Sequence, residues 1–198
     1  MASVPDRPPL ERDAIVAGAR EMIRDGGLES LSLRRLAARL GVTAAALYAH
    51  VRDKEDLLRA VAEGEFAVLL AEYEAVSAKS ALERLRAQAL IYVGHARREP
   101  QLFRTMFLFP PRPFEAGGAA ELPGATAAFT HASSTVADAM AEGSVAQGDV
   151  FGTTLTLWAG MHGVATILQL GLGLDTATED RLVHDVLGRL LGDAPSPE

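Results

Sequence analysis

Hydroxyl, imidazole and cationic side chains are concentrated between Ser32 and Lys54 of this sequence. Tyr48 and His50 stand close together, where a phenol hydroxyl and an imidazole can both reach a phosphate group. Lys54 follows at the predicted start of a helix that Asp53 can cap, where its ammonium group and free backbone N–H groups can face a phosphate together. These residues therefore indicate binding to a phosphate backbone, provided that the surrounding helices hold them at one surface.

Two helices joined by a tight turn are predicted to carry these residues. Ser32 is a good N-cap for the first helix. The buried stripe of that helix follows at helical spacing and consists of Leu33, Leu36, Ala37 and Leu40. Gly41 ends the helix, and Thr43 caps a short second helix over Ala44 to His50. This pattern is typical of a helix-turn-helix, whose second helix can enter a DNA major groove, although a plain helical hairpin in a bundle has the same spacing.

The positions expected to face DNA are mostly small or polar. Ala44 and Ala45 let the backbone approach base edges, and their methyl groups can contact thymine. The short helix lacks Arg, Asn and Gln, which make bidentate base contacts, so DNA shape is expected to supply part of the selectivity. Arg35 is either a backbone contact or a structural residue. The predicted DNA-binding residues are Ser32, Arg34, Thr43, Ala44, Ala45, Tyr48, His50 and Lys54.

Helical periodicity runs through most of the chain, and strand patterns are almost absent. Residues 1–9, with three prolines, are predicted to form a flexible arm ahead of a first helix over about 10–25. A loop is predicted over 110–124, and Ser80 with Glu83 is predicted to form a capping box. The fold class is therefore expected to be all-α with about nine helices. The later helices are predicted over about 54–76, 80–99, 100–109, 125–142, 149–170 and 178–191.

The formal net charge of −7 is unevenly distributed along the chain. The first sixty residues hold ten Lys and Arg against nine Asp and Glu, whereas the remainder holds nine against seventeen. The acidity therefore lies away from the region expected to face DNA. A hydrophobic content of 48% excludes a disordered chain, and the lack of cysteine excludes disulfides and thiol chemistry. We find no signal-peptide pattern and expect a cytoplasmic protein.

Residues 150–174 contain no Asp, Glu, Lys or Arg, and such a run is long enough to span a bilayer. However, the run contains His162, Gln169 and five glycines, and no basic cluster lies beside it to orient it in a membrane. A helix buried in an interface is therefore favoured over a membrane span.

The segment from Leu28 to Leu58 resembles the DNA-binding domain of the TetR family of repressors. The matching residues are Leu33, Leu36, Ala37, Leu40, Gly41, Val42, Leu47, Tyr48, His50, Val51, Lys54, Leu57 and Leu58. The resemblance implies that the short helix is the recognition helix of a homodimer that reads a roughly palindromic operator. A weaker similarity, carried by Trp158, His162 and Gly163, relates the C-terminal part to TetR-like domains with a Trp-x-x-x-His-Gly motif.

The resemblance also implies a division into an arm (1–9), a helix-turn-helix domain (10–53) and an effector-binding and dimerisation domain (54–198). The last two helices, over about 149–170 and 178–191, would form the dimer interface, and the effector would bind among the middle helices. An apolar pocket with few polar anchors suits a hydrophobic small molecule. The predicted ligand-binding residues are Tyr92, Phe103, Met106, Phe107, Phe129, Trp158 and His162. Such residues at helical spacing are also ordinary core residues, so that alternative stays open.

The implied function is a repressor that a hydrophobic effector releases from DNA, with the helix over 54–76 as the lever. The open alternatives are a helical small-molecule-binding or structural dimerising protein without sequence-specific DNA binding, and a transcriptional activator of the same fold. An enzyme is not favoured, because the five histidines (50, 95, 131, 162 and 184) are scattered and no HExxH, phosphate-loop or GxSxG pattern occurs. No cofactor, metal or membrane partner is predicted.

Overall fold

The computed structural model describes residues 10–109 and 122–192, which fold into nine α-helices and one short 3-10 turn, with no strand. The expected all-α fold is therefore confirmed for this part of the chain. The predicted arm over 1–9 and most of the predicted loop over 110–124 lie outside the described residues. The helices are α1 (Arg12–Gly26), α2 (Leu33–Leu40), α3 (Ala44–Tyr48), α4 (Lys54–Glu74), α5 (Ala81–Arg98), α6 (Pro100–Met106), α7 (Pro123–Ala141), α8 (Val150–Leu168) and α9 (Thr176–Leu191).

Several helix ends differ from the predicted ones. Helix α3 ends at Tyr48 and does not continue to His50, because the chain tightens into a turn there, in which the His50 N–H donates to the Leu47 carbonyl three residues back at 2.9 Å. Helix α6 ends at Met106, three residues before the predicted end. Between α1 and α2 the chain forms a 3-10 turn over Leu28–Ser30.

Polar caps fix the helix starts in the N-terminal region, as the sequence predicted. The side chains of Ser32, Thr43 and Asp53 each accept a hydrogen bond from the backbone N–H three residues on, at 3.2, 3.2 and 2.8 Å. Gly41 ends α2 in the left-handed conformation with φ of 65°. The predicted capping box at the start of α5 is also present. These local contacts position α3 between two defined turns.

Helix α4 takes part in two hydrophobic cores. Its first turns contribute Leu57 and Val61 to a core shared with α1, α2 and α3. Further along, Phe66, Leu69 and Tyr73 belong to a second core with α5, α6, α8 and α9. The packing therefore joins the start of α4 to the N-terminal helices, and the predicted domain boundary after residue 53 stays a prediction.

Glu65 of α4 is fully buried between these cores. Its carboxylate accepts hydrogen bonds from the Nε and Nη2 atoms of Arg20 on α1. On the other side, Nε2 of His95 on α5 lies 3.4 Å from Glu65 Oε2, without hydrogen-bond alignment. Burial acts to raise the pKa of Glu65, but the interactions with His95 and Arg20 outweigh it, so the net pKa is lowered and the carboxylate stays charged. One buried charge thus connects α1, α4 and α5.

We expect the substitution Arg20→Met to lower the free energy of unfolding by about 3 kcal/mol, because it removes the main partner of a buried carboxylate. Arg24→Met is the matched control: Arg24 pairs with Glu99 at 2.9 Å in a more exposed setting, so its loss should cost below about 1 kcal/mol. Urea unfolding at one fixed protein concentration, followed by circular dichroism, measures both. Equal losses would show that the Glu65 charge does not need Arg20.

Candidate DNA interface and ligand cavity

Helix α3 is anchored by one buried side chain and exposes two of the other four. Leu47 is fully buried in the N-terminal core. Thr43 and Ala45 are exposed, while Ala44 is half-buried. Tyr48 has 57% of its surface exposed, although a phenol ring is more often at least partly covered in folded proteins. The exposed side of α3 can therefore approach a partner without any change in the core beneath it.

Asp56 fixes the loop that follows α3. Arg12 donates two hydrogen bonds of 3.2 Å to the Asp56 carboxylate and a third, of 2.5 Å, to the His50 carbonyl. The backbone N–H of Arg52 donates to the same carboxylate at 3.1 Å. The pKa of Asp56 is lowered to about 2, chiefly by the Arg12 hydrogen bond. Helices α1 and α4 therefore hold the loop, and with it the half-buried His50, in a defined position.

The cationic side chains near α3 differ in the bonds they already make. Arg34 is exposed and has no hydrogen-bond or ion-pair partner in the part of the chain that the structure describes. Lys54 is exposed, and its Nζ lies 3.4 Å from a backbone carbonyl. Arg35 donates to a backbone carbonyl at 2.9 Å and to the half-buried cap Ser32, which favours its structural role. Arg52, absent from the predicted set, has 81% of its side chain exposed.

A cavity of about 110 Å³ lies among α4, α5, α7, α8 and α9. Phe66 and Leu69 of α4 form part of its wall, and Leu187 of α9 lies in another part. Ala128 and Ala132, one helical turn apart on α7, leave room that larger side chains would fill. No Asp, Glu, Lys or Arg is found among the described residues that line it. The cavity is therefore almost entirely apolar.

The structure divides the predicted ligand-binding residues into two groups. Tyr92, Phe107, Phe129 and Trp158 line the cavity. Phe103 and Met106 do not line the cavity and are buried in the adjacent core. Their placement is that of ordinary core residues, the alternative that the sequence left open. His162 also lies off the cavity wall, with its ring centroid 4.6 Å from that of Phe107. Contact of any of these residues with a ligand stays a prediction.

Trp158 and His162, the two polar side chains of the Trp-x-x-x-His-Gly pattern, meet at Tyr92. Trp158 Nε1 donates to the Tyr92 hydroxyl at 3.0 Å, and that hydroxyl lies 2.8 Å from His162 Nδ1. We assign the Tyr92 proton to Nδ1, because this choice gives every member of the network a partner. Burial lowers the pKa of His162 and raises that of Tyr92, so both groups are held neutral as the assignment requires.

Gln88 lines the cavity and was missed by sequence reasoning. Its Nε2 atom donates to Thr135 Oγ1 at 3.1 Å, whereas its Oε1 has no hydrogen-bond partner among the described residues. The sequence did contain a signal: Gln88 stands three residues after Leu85 and four before Tyr92, on the same apolar side of a helix. A polar residue at such a position is expected to be buried and in need of a partner.

Within residues 10–109 and 122–192, no group of three or more His, Asp or Glu side chains is arranged to bind a metal ion. None of the helices in these ranges combines the length and the hydropathy needed to cross a membrane.

A helix-turn-helix packed on a helical domain with an apolar cavity defines the class of helical transcriptional regulators. Sequence profiles assign the family. The profile described as "Bacterial regulatory proteins, tetR family" matches residues 15–61, and that described as "Tetracyclin repressor-like, C-terminal domain" matches residues 85–190. The chain therefore belongs to the TetR family, as the sequence resemblance implied.

Individual relatives agree with this assignment. An uncharacterised HTH-type transcriptional regulator of Mycobacterium tuberculosis is 28% identical over 182 residues, which are 91% of this chain and 80% of that protein. The class C tetracycline repressor of Escherichia coli is 50% identical, but over 54 residues, which are 27% of this chain and 25% of the repressor. This match therefore covers one quarter of the class C repressor's length.

Solved structures share the whole fold. A protein of unknown function from Rhodococcus sp. RHA1 has a TM-score of 0.79 at 30% identity and covers 96% of this chain and 98% of its own. A TetR/AcrR-family regulator from Thermobifida fusca has a TM-score of 0.71 at 22% identity, with 93% and 98% covered.

The free energy of unfolding at low pH should depend on Asp56. Because its pKa is lowered to about 2 in the folded protein, its contribution to the free energy of unfolding is complete above about pH 4 and is lost as the pH falls towards 2. We expect Asp56→Asn to flatten the stability profile in this range, as measured by chemical unfolding at a series of pH values. Leu90→Ala, at an exposed apolar residue that carries no titratable group, is the control and should retain the wild-type slope. If Asp56→Asn retained that slope too, the Arg12 contact would not matter to folding.

Proposed function

We propose that this protein is a dimeric transcriptional repressor that binds a roughly palindromic operator through α3 and dissociates when a hydrophobic small molecule enters the cavity. One observation carries the proposal: α4 is a single helix that belongs both to the core beneath α3 and to the wall of the cavity. A change in the cavity can therefore alter the support of the DNA-facing helix without an intervening linker.

The proposed DNA contacts follow from exposure and chemistry. Thr43, Ala45 and Tyr48 expose short or polar groups on α3, which suits close approach to base edges in the major groove. Arg34 and Lys54 are exposed on the flanking helices and supply charge for the phosphate backbone. The remaining proposed contacts are Ser32, Ala44, His50 and the exposed Arg52.

A solved relative supports the combination of DNA and small-molecule binding on this fold. AibR, which has a TM-score of 0.63 and 18% identity to this chain, was solved in complex with isovaleryl coenzyme A and operator DNA. That complex concerns AibR itself. Here the apolar cavity favours a hydrophobic effector, which acts on DNA affinity only to the extent that it binds the two states of the dimer unequally.

Loss of the Tyr48 ring should weaken DNA binding. We expect Tyr48→Ala to reduce affinity about tenfold for the sequence that the wild type enriches from a random DNA pool, since one good contact is removed from the interface. Fluorescence anisotropy with labelled DNA measures the affinity, and Tyr48→Phe separates the hydroxyl from the ring. Leu90→Ala, at an exposed apolar residue on α5, is the control and should bind normally. Unchanged affinity in Tyr48→Ala would remove Tyr48 from the proposed interface.

Helix α8 supports the proposed dimer. Thr156, Ala159 and Thr166 are exposed on one of its sides, and the helix carries no charged residue. A Cβ added at Gly163 would meet open space, whereas one at Gly160 would collide with Leu190 of α9. Gly160 therefore serves packing within the chain, and the side with Gly163 is available to the same side of a second copy, as a two-fold interface requires.

A charge on the side of α8 that carries Gly163 should separate the subunits of the proposed dimer. We expect Ala159→Arg to shift the protein from dimer to monomer in sedimentation equilibrium, because an unpaired guanidinium would be buried where the two copies meet. Ala127→Arg places the same charge on an exposed position of α7 and should leave the dimer intact. A dimer that persists in Ala159→Arg would contradict the assignment of this side of α8 to the interface.

A further inference from the structure

Among the residues that the structure describes, the lining of the cavity holds one buried side-chain atom without a hydrogen-bond partner. Gln88 is only 4% exposed and lines the cavity, yet its Oε1 has no hydrogen-bond partner among the described residues. A buried amide oxygen without a partner costs free energy that a bound hydrogen-bond donor can recover.

The orientation of the Gln88 amide follows from its neighbour. The Thr135 hydroxyl donates its only proton to the His131 carbonyl, at 3.2 Å. Thr135 Oγ1 can therefore only accept from Gln88, so the atom that faces it at 3.1 Å is the amide nitrogen. The amide oxygen is consequently the atom left over, and its preference is for a donor.

The neighbouring polar groups leave this preference unchanged. The Tyr92 hydroxyl is already engaged by Trp158 and His162. The Thr154 hydroxyl donates its proton to the Val150 carbonyl at 2.7 Å, so its remaining capacity is that of an acceptor. Both Gln88 and Thr154 thus favour a ligand that carries a hydrogen-bond donor.

The rest of the cavity restricts the charge and size of a ligand. Because no charged side chain is found among the described lining residues, a carboxylate or ammonium group would lose its hydration there without gaining a partner. The volume of about 110 Å³ is comparable to cavities of roughly 150 Å³ that hold one benzene ring. A single-ring molecule therefore fits better than a long or branched one.

We propose that the cavity takes a neutral, largely apolar molecule of about one ring that carries a hydroxyl or N–H group, and that Gln88 Oε1 accepts the hydrogen bond from that group. This inference deepens the proposed function, because it names the class of effector that the proposed regulator would bind. It also identifies Gln88 as the residue that determines specificity.

The test uses two probes of nearly equal shape. Calorimetric titration of the full chain with 4-ethylphenol and with 1-ethyl-4-fluorobenzene compares a ring that donates with one that does not. We expect the phenol to bind about tenfold more tightly, as for a hydrogen bond to a buried acceptor. Trp158 is the only tryptophan of the chain and lines the cavity, so a change in its emission reports that the probe is bound there.

Two variants assign the preference to Gln88. In Gln88→Leu the preference for the phenol should disappear, while the fluorinated probe binds at least as well as before. Met161→Leu, a volume-conserving change at another lining residue, should keep the tenfold ratio. A ratio near one in the wild type, a ratio that survives in Gln88→Leu, or binding of neither probe would each overturn the inference.

DNA binding by the same preparations keeps the two proposals apart. If the protein binds its selected DNA but fails the probe test, the Gln88 inference falls and the DNA-binding function stands. If it distinguishes the probes but enriches no DNA sequence, the reverse holds.

Discussion

The arrangement of this molecule depends on one buried carboxylate. Glu65 is withdrawn from water in the middle of α4, and it is tolerated there because Arg20 of α1 donates hydrogen bonds to its carboxylate and His95 of α5 lies 3.4 Å from it. Any displacement of α1 relative to α5 separates a buried charge from a partner. The N-terminal core, which carries α3, is therefore held in register with the helices that enclose the cavity, and α4 is the element common to both.

Local chemistry made the N-terminal region predictable. The caps at Ser32, Thr43 and Asp53 and the turn at Gly41 depend on neighbours a few residues away, and the structure has each of them where the sequence indicated. Contacts with DNA do not follow from these caps, because exposure of a side chain does not define its partner.

The groups that matter most in the body of the protein depend on distant residues. Glu65 and Arg20 are 45 positions apart and Tyr92 and His162 are 70, so neither pair follows from local spacing. A glutamate in an amphipathic helix is usually a surface residue, which is why Glu65 gave no signal. Phe103 lies in α6 and Phe107 directly follows it. This helix is too short for its hydrophobic periodicity to show which of the two side chains reaches the cavity. The sequence indicates Gln88 as a polar residue in an apolar stripe. That its Oε1 has no partner among the described residues follows only from the position of Thr135 in the structure.

In the proposed repressor, two copies of α3 read DNA together. The most direct test is selection of DNA from a random pool by the purified protein at low salt, where even weak phosphate contacts contribute to retention. We expect enrichment of a two-fold symmetric sequence, with half-sites about one helical turn, or a multiple of it, apart. Recovery of no preferred sequence under these conditions would contradict the proposal.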